Sequence, residues 1–132
     1  MSSKSYIQIV KRNSEVILIH ESCREIIVKD VHKRIRYKES LVLKMLIESY
    51  PEQVSRKVLS DSIWGATYVF DETINQTVKN LRIALEDKNK EIITTIPRFG
   101  YSFGIKPQYT KNEMKKISHA RLKMDIKNLR TV

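Results

Sequence analysis

The first 37 residues alternate short apolar stretches with polar turns. Four strand-like stretches lie at positions 6–10, 15–19, 25–28 and 34–37, and the second of them is rich in β-branched residues. Short apolar segments bounded by polar turns are typical of antiparallel strands. The pattern therefore predicts an N-terminal antiparallel sheet of three or four strands.

After residue 37 the apolar positions follow a helical period. Residues 41–47 are apolar on nearly all sides within the segment 38–50, which predicts a largely buried helix that ends before Pro51. Ser55 is a suitable N-cap for a short second helix, and Gly65 a suitable residue just past its end. The residues expected on the inner face of that helix are Val58, Leu59, Ser62 and Ile63.

A third helix over residues 71–86 is the clearest pattern in the chain, with Asp71 as the expected N-cap. Its apolar stripe consists of Ile74, Val78, Leu81 and Leu85. The opposite face carries Glu72, Gln76, Lys79, Asn80 and Ile83, with Thr73 on one flank and Asn75 and Arg82 on the other. The helix is thus predicted to pack by one face and to present polar groups on the other.

A β-hairpin is predicted over residues 91–105, with strands 91–96 and 101–105. Its tip is the segment from Pro97 to Gly100, where proline fixes φ and glycine can take a positive φ. Arg98 lies within this tip and places a cation at the end of the hairpin.

The charge of the chain favours an anionic partner. Lys and Arg number 25 against 15 for Asp and Glu, a net charge of +10, which favours nucleic acid over an anionic membrane. Residues 110–132 alone carry seven basic and two acidic side chains. We therefore divide the chain into a domain over residues 1–106 and a basic extension over 107–132, and we expect truncation near Gln108 to leave folding intact.

No pattern of enzymatic chemistry emerges. His20, His32 and His119 stand apart from metal-ligand partners, and no nucleophile, phosphate-loop or dinucleotide motif occurs. We expect no enzyme, metal, cofactor or small-molecule substrate. The lone Cys23 and the lack of a signal peptide or an apolar span favour the cytoplasm.

The order of these elements is that of a winged helix-turn-helix in an α+β fold: a four-stranded sheet, three helices and a hairpin wing. The second and third helices form the helix-turn-helix, and an α-helix fits the major groove of B-DNA. Gln and Asn pair with adenine and Lys with guanine, while a wing arginine suits a minor groove or a phosphate.

Three segments carry a family resemblance: VSRKVLSDSIWG, ETINQTVKNLRIAL and IITTIPRFGYSF. Residues 37–103 resemble the effector domain of OmpR/PhoB-type transcriptional regulators, and the IPRFGY wing is similar to that of the ToxR/CadC-like branch. Two departures are Glu72, where many members have arginine, and Tyr37-Lys38, where the family has Thr-Pro. The resemblance implies DNA contacts at Thr73, Asn75, Gln76, Thr77, Lys79, Asn80, Arg82 and Arg98.

Several partners and alternatives follow from this resemblance. It implies double-stranded DNA as the partner, an approach of loop 66–70 to RNA polymerase, and a homodimer on repeated half-sites. For the loop we favour the alternative, in which Tyr68 and Phe70 pack on the core and make no polymerase contact. Arg82 lies near the apolar flank and has the alternative role of pairing with an acidic group. Two alternatives for the whole chain are a winged-helix module that binds a protein, and the cytoplasmic part of a membrane-tethered ToxR-like regulator with a basic linker.

Overall fold

A computed structural model describes residues 5–65 and 69–110 of the chain. It confirms the predicted α+β class, with a five-stranded sheet, three helices and a second sheet of three strands. The main core lies between the larger sheet, the helices and the wing. None of the helices within the described residues is long and apolar enough to cross a membrane.

The larger sheet begins with β1 (Tyr6–Val10), β2 (Val16–His20), β3 (Glu25–Val28) and β4 (Val31–Arg34), each antiparallel to the next. The first three strands lie close to their predicted positions, but the fourth was placed three residues too late. The cause is a two-residue turn at Lys29 and Asp30, whose φ values of 53° and 66° let β4 start at once.

A fifth strand, β8 (Gln108–Thr110), pairs antiparallel with β1 and gives the order β4-β3-β2-β1-β8. The predicted count of four strands was therefore wrong. A three-residue edge strand after Pro107 has no alternating pattern that sequence inspection could detect. The predicted truncation point at Gln108 falls inside this strand, and residues 111–132 of the predicted extension lie outside the described part.

Helix α1 (Tyr37–Ser49) is the central helix and agrees with the predicted range of 38–50. Its inner face buries Val42, Leu43, Leu46 and Ile47. Although the family's Thr-Pro start is absent, the Glu39 carboxylate accepts a hydrogen bond from the Arg36 N–H at 3.1 Å. This side chain satisfies one of the donors that a helix N-terminus leaves unpaired.

The helix-turn-helix starts with α2 (Arg56–Leu59), which continues as a π-helical turn over Ser60–Trp64. Ser55 caps α2 as predicted, because its hydroxyl accepts the Val58 N–H at 3.0 Å. Only half of the predicted inner face is buried: Leu59 and Ile63 face the core, whereas Val58 and Ser62 are exposed. Gly65 follows with a φ of 67°.

Helix α3 (Asp71–Leu85) buries the predicted stripe of Ile74, Val78, Leu81 and Leu85. Its N-cap is Phe70 instead of Asp71, and it ends at Glu86, which takes the left-handed conformation with a φ of 55°. The buried stripe turns the predicted polar face of α3 outward.

The wing consists of β6 (Ile93–Ile96) and β7 (Gly100–Phe103), and a short β5 (Val54–Ser55) pairs with β7. The expected role of Gly100 was wrong, since the positive φ of the tip belongs to Arg98, at 61°. Glycine is required at position 100 because an added Cβ would lie 2.0 Å from the Val54 carbonyl oxygen. The close pairing of β5 with β7 therefore dictates this residue.

Candidate nucleic-acid interface

The outward side of α3 brings together most of the predicted contact residues, and we call it the reading face. Thr73, Asn75, Gln76 and Lys79 are exposed, and Asn80 is half-buried. Thr77 is different: it is 8% exposed, and its hydroxyl donates to the Thr73 carbonyl at 2.8 Å. The reading face thus offers carboxamides, a hydroxyl and a cation.

Asn75 is the centre of a cluster that joins α2, α3 and the wing. Its Oδ1 accepts one hydrogen bond from the Tyr101 hydroxyl at 2.6 Å and another from Arg56 Nε at 3.0 Å. The Arg56 guanidinium also lies over the Tyr101 ring, 4.9 Å from its centre. Both lone pairs of Oδ1 are occupied, so Asn75 can offer an external ligand only the donors of its amide nitrogen.

Gln76 and Asn80 belong to a second chain of hydrogen bonds, which leads back to α1. Gln76 Nε2 donates to Asn80 Oδ1 at 2.9 Å, and Asn80 Nδ2 donates to Glu39 Oε2 at 3.1 Å. We call Glu39, Asn80 and Gln76 the amide relay. Its inner end is well sheltered, because Glu39 is only 8% exposed.

Arg82 connects α3 to the first wing strand. Its Nη2 donates to the Ile93 carbonyl at 2.6 Å and to Thr95 Oγ1 at 2.9 Å, and its Nε donates to the same carbonyl at 3.1 Å. It also lies 5.8 Å from the centre of the Tyr101 ring and 4.0 Å from an Asp87 carboxylate oxygen. Much of its donor capacity is therefore used within the domain.

Asp87 fixes the start of the wing. Its buried carboxylate accepts the N–H groups of Glu91, Ile92 and Ile93 at 2.9–3.0 Å. Two of these donors, the N–H groups of Ile92 and Ile93, would otherwise be left unpaired in the interior, which is costly. This bonding sets where β6 begins relative to the end of α3.

Lysines from the larger sheet hold the C-terminal end of α3. Lys33 Nζ donates to the Ala84 carbonyl at 2.9 Å, and Lys11 Nζ donates to the Glu86 carbonyl at 3.1 Å. Lys29 pairs with the Glu86 carboxylate at 3.0 Å, and this hydrogen bond lowers the pKa of Glu86. Cations at a helix C-terminus also interact favourably with the helix dipole.

Arg98 is exposed at the wing tip, and the backbone around it is tied down. The Phe99 N–H donates to the Ile96 carbonyl at 3.0 Å, and the Phe99 carbonyl accepts the Arg56 N–H at 2.9 Å. The second bond joins the tip to the start of α2. The cation at position 98 is therefore displayed from a fixed turn.

Sequence inspection missed several residues of this surface. Lys88 and Lys90 line a groove of about 510 Å³ beside Lys79 and Ile83, and they were assigned only to a turn. Arg56 and Glu39 had no assigned role, although Arg56 stands in the Ser-Arg segment that follows the N-cap of α2. The sequence does not indicate these roles, because the partners of Arg56 and Glu39 on the reading face, Asn75 and Asn80, lie at least 19 residues away along the chain.

The aromatic residues around the helix-turn-helix differ in how far they are buried. Trp64 is partly buried and packs against the core. Phe70 is 63% exposed, so the expectation that it packs over the core was wrong. Residues 66–68, including Tyr68, lie outside the described residues.

The sequence pattern of the family described as "Transcriptional regulatory protein, C terminal" matches residues 32–103. A solved structure, the DNA-binding domain of Escherichia coli CadC, has a TM-score of 0.66 with 19% identity, covering 83% of this chain and all of that domain. The likeness to this structure supports the winged-helix fold.

Two relatives extend the similarity at the level of sequence. A probable transcriptional regulatory protein of Picosynechococcus is 31% identical over 99 residues, which are 72% of this chain and 39% of that protein. The cholera toxin transcriptional activator of Vibrio cholerae is 29% identical over 111 residues, 81% of this chain and 36% of that protein. The chain spans less than two-fifths of the length of these relatives. Because the family pattern matches more than half of it, the chain belongs to the OmpR/PhoB-type family of transcriptional regulatory domains.

Proposed function

We propose that this chain is a sequence-specific DNA-binding transcriptional regulator, with α3 in the major groove and the wing at the minor groove or backbone. The observation that carries the proposal is the reading face, where exposed amides and Lys79 stand opposite the buried apolar stripe. Such side chains match the donor and acceptor pattern of base edges. The site of action is the cytoplasm, where bacterial DNA lies.

The eight implied contact residues divide into two groups within this proposal. Thr73, Asn75, Gln76, Lys79, Asn80 and Arg98 contact DNA directly. Thr77 and Arg82 support them, because their polar groups already bond to Thr73, Ile93 and Thr95. Lys88 and Lys90 add positive charge along the groove beside α3 and favour a phosphate contact there.

Selection of bound sequences from a random DNA pool tests the proposal. We expect one enriched motif, and its affinity should fall with salt at a logarithmic slope of roughly −4 to −7 if about five to eight phosphates are neutralised. A variant with Gln76→Ala and Asn80→Ala should lose the motif while remaining folded. No enrichment, or an affinity that does not change with salt, would favour a module that binds a protein.

RNA polymerase and a second copy of the chain are the further partners in the proposal. The exposure of Phe70, the last residue of loop 66–70, supports a polymerase contact. Phe70→Ala should leave promoter binding unchanged and reduce transcription in a purified system. Footprints of the chain on DNA that carries one half-site and on DNA that carries two half-sites test whether it binds as a homodimer.

A further inference from the structure

The orientation of a carboxamide decides which base it can read. Asn and Gln carry one acceptor oxygen and one nitrogen with two donors, and rotation by 180° exchanges them. Adenine presents an acceptor and a donor in the major groove, whereas guanine presents two acceptors. A reading face therefore gains specificity if neighbouring groups fix the orientation of its amides.

Glu39 fixes the orientation throughout the amide relay. A carboxylate can only accept, so the group of Asn80 that lies 3.1 Å from Glu39 Oε2 must be its amide nitrogen. Asn80 Oδ1 then faces the other way and accepts from Gln76 Nε2 at 2.9 Å. The other Glu39 oxygen accepts the Arg36 N–H, so the carboxylate is held at both oxygens.

Gln76 is left with one acceptor and one donor for an external ligand. Its Nε2 has given one N–H to Asn80, and its Oε1 bonds to none of the described residues. This pair matches the N6 amino group and the N7 atom of adenine. Guanine would need two donors in the same place.

We infer that the amide relay makes Gln76 a reader of adenine, and that Glu39 is the positioning residue that sets this preference. The inference rests on the proposed function, since it assumes that α3 enters the major groove. Asn75 differs, because Arg56 and Tyr101 occupy its oxygen and leave only donors. Two neighbouring amides on one helix thus have different recognition chemistry.

The substitution Glu39→Gln reverses the relay. The oxygen of the introduced carboxamide can still accept the Arg36 N–H, which turns the nitrogen of that carboxamide toward Asn80. Asn80 must then present Oδ1 to this nitrogen and Nδ2 to Gln76, so Gln76 bonds through Oε1 and presents two donors outward. The base preference at the position read by Gln76 should change from adenine to guanine.

Selection from a random DNA pool, performed on the full chain and its variants, measures this change. The position read by Gln76 is identified as the one whose preference Gln76→Ala abolishes. We expect about tenfold or greater preference for adenine in the wild type and a preference for guanine in Glu39→Gln. Glu48→Gln is the matched control, because it removes the same charge from an exposed position on α1 and should retain adenine.

The outcomes separate this inference from the proposed function. If no motif is enriched by the wild type, the proposed function fails. If a motif is enriched but Glu39→Gln keeps adenine at the position of Gln76, DNA recognition stands and the relay is overturned. If Glu39→Gln melts early, Asn80→Ala provides the test instead. This variant should accept adenine and guanine equally at the position read by Gln76, and a retained preference for adenine would overturn the inference.

Discussion

At the scale of single residues, the reading face holds some of its polar groups in internal hydrogen bonds and leaves others exposed. Asn75 uses its oxygen within the domain, whereas Gln76 uses only one of its N–H groups there. The internal bonds reduce the number of orientations that each side chain can adopt, which lowers the entropy cost of contacting a base. A substitution that keeps the internal hydrogen bonds but changes the exposed groups can therefore separate an effect on folding from an effect on DNA binding.

The substitution Asn75→Asp should impair DNA binding without harming the fold. The new carboxylate can still accept from Arg56 and Tyr101, but it loses the outward donors and adds a negative charge near the phosphates. We expect the melting temperature to stay within a few degrees and the affinity to fall by about tenfold or more. Fluorescence anisotropy with an operator duplex and thermal melting measure the two effects.

Asn13→Asp provides the matched control for this experiment. The Asn13 side-chain oxygen also accepts a bond within the domain, from the Glu15 N–H at 2.9 Å, and the residue lies in an exposed turn of the larger sheet. The same change of charge at this site should leave affinity nearly intact. Equal affinity of Asn75→Asp and the wild type would exclude Asn75 as a donor to DNA.

Arg98 should act through its charge, since the turn that displays it is fixed by backbone bonds. Arg98→Ala keeps the same left-handed backbone requirement and removes the cation, so binding should weaken across sequences, most at A·T-rich flanks. The logarithmic salt slope should become less negative by about one. Arg98→Lys should recover most of that slope, and three identical slopes would show that the wing tip does not engage DNA.

At the scale of elements, the angle between α3 and the wing depends on Arg82, Asp87 and Tyr101. Arg82 bonds to β6, Asp87 fixes the first residues of β6, and Tyr101 of β7 bonds to Asn75 of α3. These are polar links of one helix to both wing strands. They hold the helix and the hairpin as one surface.

Arg82→Ala should therefore reduce stability first and DNA affinity as a consequence. The change leaves the Ile93 carbonyl without its guanidinium donor, and we expect a loss of about 1–3 kcal/mol in the free energy of unfolding. Arg82→Lys should recover only part of it, because an ammonium lacks the planar fork that reaches Ile93 and Thr95 together. Urea unfolding measures the loss, and full stability combined with weaker binding would instead assign Arg82 to DNA.

Local periodicity explains which elements the sequence could predict. The stripe of α3 recurs at four positions over about three turns, and the apolar run of α1 covers about two turns, so both helices were predicted closely. Strands β5 and β8 contain two and three residues, too few for an alternating pattern. They form because segments that are distant along the chain pair with each other, and nothing in the local sequence indicates that pairing.

The same distinction applies to the candidate site. The outward positions of α3 follow from the helical period, so the members of the reading face could be predicted. Their internal partners could not, since Glu39 and Asn80 are separated by 41 positions and Arg82 and Ile93 belong to different elements. Only the tertiary structure shows that Arg82 is already bonded and that Gln76 has a fixed orientation.

At the scale of the whole molecule, part of the positive charge supports the fold. Lys11, Lys29 and Lys33 contact the C-terminal end of α3 from the larger sheet. At least three of the 25 lysine and arginine side chains therefore serve the fold. The larger sheet acts as the support that fixes the position of α3, and its integrity matters for recognition.

Strand β8 extends this support, and two truncated chains can isolate its contribution. A chain that ends at Pro107 loses the pairing of Gln108, Tyr109 and Thr110 with β1, together with the bond at 3.4 Å between the buried Gln8 side chain and that of Gln108. A chain that ends at Thr110 keeps them. We expect the shorter chain to be less stable by about 1–2 kcal/mol, which lowers the melting temperature by roughly 4–15 °C.

The longer truncation tests the predicted basic extension separately. If residues 111–132 are dispensable for folding, the chain that ends at Thr110 should melt within a few degrees of the full chain. It should bind DNA a few-fold more weakly at low salt, because the counterion release contributed by those basic residues is lost. Equal melting of both truncations would show that β8 adds no stability, whereas early melting of both would show that the segment after Thr110 belongs to the folded domain.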